Sequence, residues 1–263
     1  VESQPTDLYT SIAAIGVCVG GMVNIRQTID MPQANWKNVN LVAPLQAEMH
    51  MPVYFEGVTR MKAQYELRYI EPEERNVIYL NLSTGIGIVN FFNGHIIQGH
   101  TGIAGEAGHI SLNLHGPKCY CGNRGCFEIY CGMFQILARA ALLIHRKNKG
   151  DIFYDMVVNQ GAPLTARTLF EALNRGSLVV HELLNEVSQY LGSGLASLYN
   201  IFDPDRIIIS AYLDDDDSFV LDNAITEAKS RIVNRFSRQL HITRAHLKIE
   251  ETHLGICAYV LKK

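Results

Sequence analysis

The 263-residue sequence predicts an α/β chain folded as two lobes, on three observations. Strand-patterned segments alternate with helix-patterned ones, the arrangement that covers a sheet with helices. The length suits one large domain or two lobes of ordinary size and is enough to bury a real core. The composition turns charged at Glu71-Pro72-Glu73-Glu74-Arg75, which marks the hinge. Residues 1–74, closed by a last helix over 254–263, form the amino-terminal lobe, and residues 75–253 form the carboxy-terminal one.

The elements follow from local pattern. Residues 12–19 are an apolar strand running into Gly20-Gly21; 41–49 read as a short helix and 51–55 as a strand. Residues 77–82 are a strand entering the glycine-rich turn Ser83-Thr84-Gly85-Ile86-Gly87. The runs 88–92 and 95–97 flank Asn93-Gly94, the strongest short-range hairpin signal. A helix is expected over 127–147, with Phe134, Leu137, Ala141 and Ile144 at helical spacing. Another is expected over Leu178–Phe202, with Leu184, Val187, Leu191, Leu195 and Leu198 on its apolar side. Asp203-Pro204-Asp205 stops it, and Arg206–Ser210 is a buried strand. A helix over 219–236, a strand over 246–250 and the closing helix complete the chain. The acidic run 214–217 reads as a solvated helix start.

Composition excludes several functions. With 23 basic and 26 acidic residues the net charge is −3, so the chain lacks the concentrated positive surface needed to grip nucleic acid by itself. Hydrophobic residues at 48% and charged ones at 19% fit neither a disordered nor a low-complexity segment. No run of about 18 apolar residues occurs, and Val1-Glu2-Ser3-Gln4-Pro5 does not start a signal peptide. A cytoplasmic location without membrane contact is expected. The first residue is Val rather than Met, so further residues are expected before it.

The cysteines carry the sharpest chemistry. Three of the six stand within eight residues, Cys119, Cys121 and Cys126, whereas a disulfide framework would spread its cysteines to staple distant segments. Clustered thiolates suit a soft, tetrahedral metal. His109, ten residues upstream, completes a Cys₃His set for Zn²⁺, with Gly122 and Gly125 letting the loop close around it. Four protein ligands make a closed site, hence a structural rather than a catalytic zinc. Cys18, Cys131 and Cys257 read as ordinary buried thiols.

Gly102-Ile103-Ala104-Gly105-Glu106-Ala107-Gly108-His109, followed by Cys-x-Cys-Gly-x-x-Gly-Cys-x-Glu ending at Glu128, closely resembles the signature of the ROK family (repressors, open reading frames and kinases). The resemblance extends to the Gly-rich turn around Gly20 and Gly21 and to the tryptophan connection 36–41. It implies the actin-like ATPase (ribonuclease H-like) fold, two lobes with a ligand cleft between them, and a homodimer or higher homo-oligomer. The amino-terminal lobe would be incomplete, because the strand with the family's first phosphate motif belongs upstream of Val1.

By the same resemblance Glu106, His109, Glu128 and Gly21 are sugar-binding, and Ser83, Thr84, Gly85 and Gly87 are a remnant of the second phosphate loop. An alternative role for Glu106 and Glu128 is to orient the metal ligands. Three departures weigh against kinase chemistry. The family kinases carry Glu-Asn-Asp-Ala-Asn where this chain has Glu56-Gly57-Val58-Thr59-Arg60, so Val58 stands at the general-base position and Gly57 at a sugar contact. A Gly-Gly that admits adenosine is Ser210-Ala211. Losing a positioned base costs about 10²–10⁴-fold in rate.

The resemblance therefore implies the effector-binding domain of a sugar-responsive transcriptional regulator, without catalytic residues and without ATP or Mg²⁺ as ligands. Its ligand would be a sugar or sugar phosphate, and DNA would be reached only through a region outside this chain. The alternative is an ATP-dependent hexose or N-acetylhexosamine kinase.

Overall fold

A computed structural model describes residues 12–146, 149–211, 218–233, 239–248 and 251–262. The chain forms two compact units: residues 1–70, 98–104 and 250–263 make the first, and residues 71–97 and 105–249 the second. The short segment 98–104, expected in the second lobe, belongs to the first unit: the Ile25 N–H donates to the Thr101 carbonyl and Arg60 donates to the Gly102 carbonyl.

In the first unit, β1 (Ile15–Val19) pairs in parallel with β5 (Val53–Gly57). Between them in sequence, β2 (Met22–Val23), β3 (Ile29–Met31) and β4 (Trp36–Val39) form a small antiparallel sheet, and α1 (Val42–Met49) returns the chain to β5. α2 (Val58–Glu66) follows β5 directly, and the last helix, α8 (Thr252–Val260), packs on α2 and β1. Val23, Ile29, Val53 and Phe55 form this unit's apolar centre.

In the second unit the sheet order is β10-β9-β6-β7-β8. β6 (Asn76–Leu82) runs antiparallel to β7 (Ile86–Phe92) and parallel to β9 (Arg206–Ser210). β8 (His95–Ile96) returns from β7 through Asn93 (φ 49°) and Gly94 (φ 76°); two left-handed residues in succession are what such a tight hairpin needs. β10 (Ile242–Arg244) adds in parallel to β9. Alternate residues Ile78, Leu80 and Leu82 of β6, with Ile207 and Ile209 of β9, enter one core with the long helix α6 (Leu178–Phe202). α5 (Ala166–Asn174) adds Leu169, Phe170 and Ala172, and from α6 come Leu184, Val187, Leu191, Leu195 and Leu198, the five residues its periodicity selects. α7 (Ser218–Arg231) supplies Val220, Ala224 and Ala228.

Three readings need correction. The stretch 127–147 is two helices, α3 (Phe127–Cys131) and α4 (Met133–His145), broken at Gly132. α4 starts afresh because its first amides, Met133 and Phe134, donate to the Ser83 and Thr84 carbonyls. Its buried face is Met133, Ile136 and Ala140, while Phe134 is exposed: docking on that turn sets the rotation of the helix. A strand lies at Ile242–Arg244, where pairing with Ile207, Ile208 and Ile209 is available, while residues 246–248 of the expected strand 246–250 are not strand and residues 249 and 250 lie outside the described residues. Cys131 is buried as expected, but Cys18 and Cys257 are exposed. The acidic run 214–217 and the expected helical residues 234–236 lie outside the described residues.

One carboxylate organises two helix starts. Asp151 accepts the Phe153 amide (2.8 Å) and the Ser177 hydroxyl (2.6 Å) on Oδ1, and the Leu178 amide (3.0 Å) on Oδ2. It thus caps the turn Ile152–Tyr154 and steadies Ser177, the N-cap of α6. Asp151→Ala should lower stability by about 1–3 kcal/mol, above a single cap's cost. Asp151→Asn, which keeps an acceptor, should lose less. Urea unfolding of the three proteins measures both differences.

Candidate metal centre and the polar site beside it

The segment from β8 to α3 builds the site. Gly105-Glu106 leads into a helical turn, Ala107–His109, closed by the His109 amide on the Glu106 carbonyl (3.0 Å). The chain then runs out and doubles back, with Ser111 bridging Cys126 and Lys118 bridging Arg124. Within this knuckle the Cys119 amide donates to the Asn123 carbonyl (2.8 Å) and the Gly122 amide to the Cys119 carbonyl (3.0 Å). Gly125 (φ 59°) has its α-carbon against the Asn113 carbonyl, where no side chain fits.

These turns converge His109, Cys119, Cys121 and Cys126, whose ligand atoms all lie within 4.8 Å of one another. The Cys119 Sγ is 3.8 Å from His109 Nδ1, and the Cys121 and Cys126 sulfurs are 3.7 Å apart. A tetrahedral Zn²⁺ with Zn–S bonds of about 2.3 Å requires sulfurs about 3.8 Å apart. Cys119 and Cys126 are buried, and Cys121 is exposed. Burial, with its neighbouring thiols adding to it, pushes the Cys126 thiol up to about 12; burial also raises Cys119. Thiolates in such a place need a cation among them, and a bound metal supplies it. The donors and spacings therefore fit a Zn²⁺ held by Nδ1 of His109 and the three sulfurs. Bound there, the metal would fix the loop rather than react, since four protein ligands leave no open position.

With Nδ1 toward the sulfurs, His109 presents Nε2 to a polar group of side chains. Glu106 Oε2 is 4.0 Å away, and the Tyr120 hydroxyl is 3.3 Å away, its ring edge-on to the imidazole. Glu128, buried at the start of α3, accepts the Ile86 amide on Oε2 (2.8 Å). Burial, reinforced by a hydrogen bond to Glu128 and by its charge, holds the Tyr120 phenol well above its usual range. Glu106 and His109 thus lie side by side, and Tyr120 links His109 to Glu128. Tyr120, between two of the metal-site cysteines, joins them unforeseen; its position inside Cys-x-Cys was the available signal.

The other expected residues are placed as follows. Gly85 lies against the Glu128 carboxylate so closely that a methyl there would collide with it. The turn contracts to Ser83-Thr84-Gly85, because Gly87 is already strand, paired with Asn81. The Ser83 amide donates to the Gly85 carbonyl (3.0 Å) and the Ile86 amide to Glu128. Two of the amides that could cradle a phosphate are thereby engaged within the fold. In the first unit, Gly21 and Gly57 meet: a methyl on Gly57 would lie 3.2 Å from the Gly21 carbonyl. Val58 is the first residue of α2. The neighbouring carboxylate, Glu56, is buried, accepts the Gly57 amide (2.8 Å) and pairs with Arg60 (3.5 Å).

The sequence profile of the ROK family matches residues 1–263. The chain belongs to the ROK family. It is 29% identical to the xylose repressor of Bacillus subtilis (strain 168) over 263 residues, covering 99% of this chain and 64% of that protein. It is also 29% identical over 221 residues to the glucokinase of Streptomyces coelicolor, covering 80% of this chain and 68% of that one. The ROK family glucokinase from Streptomyces griseus, solved in complex with glucose and AMPPNP, superposes with a TM-score of 0.84. At 23% identity, over 96% of this chain and 83% of that one, this likeness establishes the actin-like fold.

Metal should be tied to the knuckle that brings His109, Cys119, Cys121 and Cys126 together. Elemental analysis should find one zinc per chain, and Cys126→Ser should abolish it. Chelation should lower the thermal midpoint of the wild type by several degrees and leave that of the variant unchanged.

Proposed function

We propose that this chain is the effector-binding part of a sugar-responsive transcriptional regulator of the ROK family and does not phosphorylate its ligand. One feature supports the reading: by the family resemblance Val58 stands where the kinases place their base, and the adjacent carboxylate, Glu56, is engaged by Arg60 and the Gly57 amide. Valine has no atom that takes a proton. The ligand side retains its chemistry. Glu106, His109 and Glu128 are read as sugar contacts, since carboxylates and an imidazole meet hydroxyls with directional hydrogen bonds. Zn²⁺ on His109, Cys119, Cys121 and Cys126 would hold these contacts in place. DNA would be bound by a region outside the chain, in keeping with its spanning 64% of the xylose repressor, and the protein would act as a homo-oligomer. To swing a two-state population from 1:99 to 99:1 the sugar needs about 5.5 kcal/mol of preference for one state.

Titrating the intact protein with aldoses by calorimetry should show saturable binding. Glu106→Ala should weaken it about 10²-fold while the zinc content stays the same. A coupled assay for ADP with ATP and the same sugars should read background. Turnover that Glu106→Ala abolishes would reverse this conclusion in favour of a sugar kinase, the activity named for the Streptomyces coelicolor relative.

A further inference from the structure

Tyr120 raises a question that the sugar-site reading leaves open. The Cys119 and Cys121 positions fix its backbone at both sides, and the Cys119–Asn123 and Gly122–Cys119 hydrogen bonds hold the turn. Its hydroxyl lies 3.3 Å from His109 Nε2, with Glu128 as its other hydrogen-bond partner. With Nδ1 of His109 toward the sulfurs, Nε2 is the ring nitrogen left to pair with a hydroxyl. The Glu128 carboxylate only accepts. A hydroxyl, which both donates and accepts, can pair with the two of them. A sugar hydroxyl would make the same two bonds, and here the protein supplies the hydroxyl from its own chain. The ring is 42% exposed, so the residue stands at the boundary of the site and not in the core.

We propose that Tyr120 is the specificity-determining residue of this site. Its hydroxyl takes the place between His109 and Glu128 that a ligand hydroxyl would otherwise take, so the favoured ligand is an aldose that makes no use of that place. This rests on the reading of Glu106, His109 and Glu128 as sugar contacts. The consequence is a pattern of discrimination. A site whose polar groups need a ligand hydroxyl rejects the analogue that lacks it, because those groups are left unpaired. A site that fills the same place itself is indifferent to the loss.

The test is a thermodynamic cycle between the protein hydroxyl and each ligand hydroxyl. Calorimetry is run on the intact wild type, Tyr120→Phe and Tyr120→Ala with D-xylose, D-glucose and their monodeoxy derivatives. In the wild type, one monodeoxy derivative should bind within about threefold of its parent sugar. In Tyr120→Ala, where a sugar hydroxyl can enter the vacated place, that derivative should fall about tenfold or more below the parent. Tyr120→Phe, which keeps the ring and the packing, should shift the ratio the same way by a smaller factor. Unchanged ratios in both variants, with binding retained, would overturn the inference and leave the site reading standing. A drop in zinc content with ratios unaltered would overturn it too, marking Tyr120 as a support of the metal loop. No heat from any sugar with any of the three proteins would overturn the site reading itself, and the inference with it.

Discussion

Three sulfurs and an imidazole nitrogen brought within 4.8 Å of one another are the constraint on which the functional half of this molecule depends. Thiols gathered in a partly buried loop resist ionisation, as the upward displacement of Cys126 and Cys119 reflects. A divalent cation would remove that difficulty and at the same time set the loop's shape. A knuckle of 18 residues, counted from His109 to Cys126, has little apolar material of its own: Cys119 and Cys126 cluster with Ile129 of α3. Metal binding energy would take the role that a hydrophobic core has elsewhere.

From this knuckle the geometry passes to Glu128, two residues beyond the last cysteine. Its carboxylate meets the Ile86 amide at the start of β7 and the phenol of Tyr120 on the knuckle. The Ser83-Thr84 carbonyls in turn receive the first amides of α4. A glycine-rich turn that resembles a phosphate loop is therefore built here as a joint between sheet and helix, and its glycine makes room for a carboxylate. Changes at the metal ligands, at Glu128 or at the turn act on one connected set of contacts.

Much of this was legible in the chain itself. The register of α6 could be read from Leu184, Val187, Leu191, Leu195 and Leu198 because a 25-residue helix repeats its pattern often enough to be unambiguous. The hairpin at Asn93-Gly94 was legible because few residues tolerate two left-handed conformations in succession. The metal ligands were legible because the spacing of cysteines is a covalent fact of the sequence. α4 was misread: Phe134 and Ala141 fit a helical stripe as well as Met133, Ile136 and Ala140 do, and periodicity cannot tell which stripe faces inward. The contact with the 83–85 turn made that choice. The last strand was misplaced for a related reason, since a three-residue edge strand is defined by its partner, here Ile207–Ile209, more than by its own composition.

By itself, the sequence determined which chemical groups are present: a Cys₃His set, the carboxylates of Glu106 and Glu128, and an aliphatic side chain rather than an acid at Val58. These are properties of side-chain chemistry and spacing along the backbone, and folding does not alter them. Only the tertiary structure decided which of those groups meet. It set Glu56 against Arg60, Glu128 against the Ile86 amide, and the Tyr120 hydroxyl between an imidazole and a carboxylate. Hydrogen bonds act over about 3 Å, and residues four to forty-two positions apart come that close only after the chain has folded.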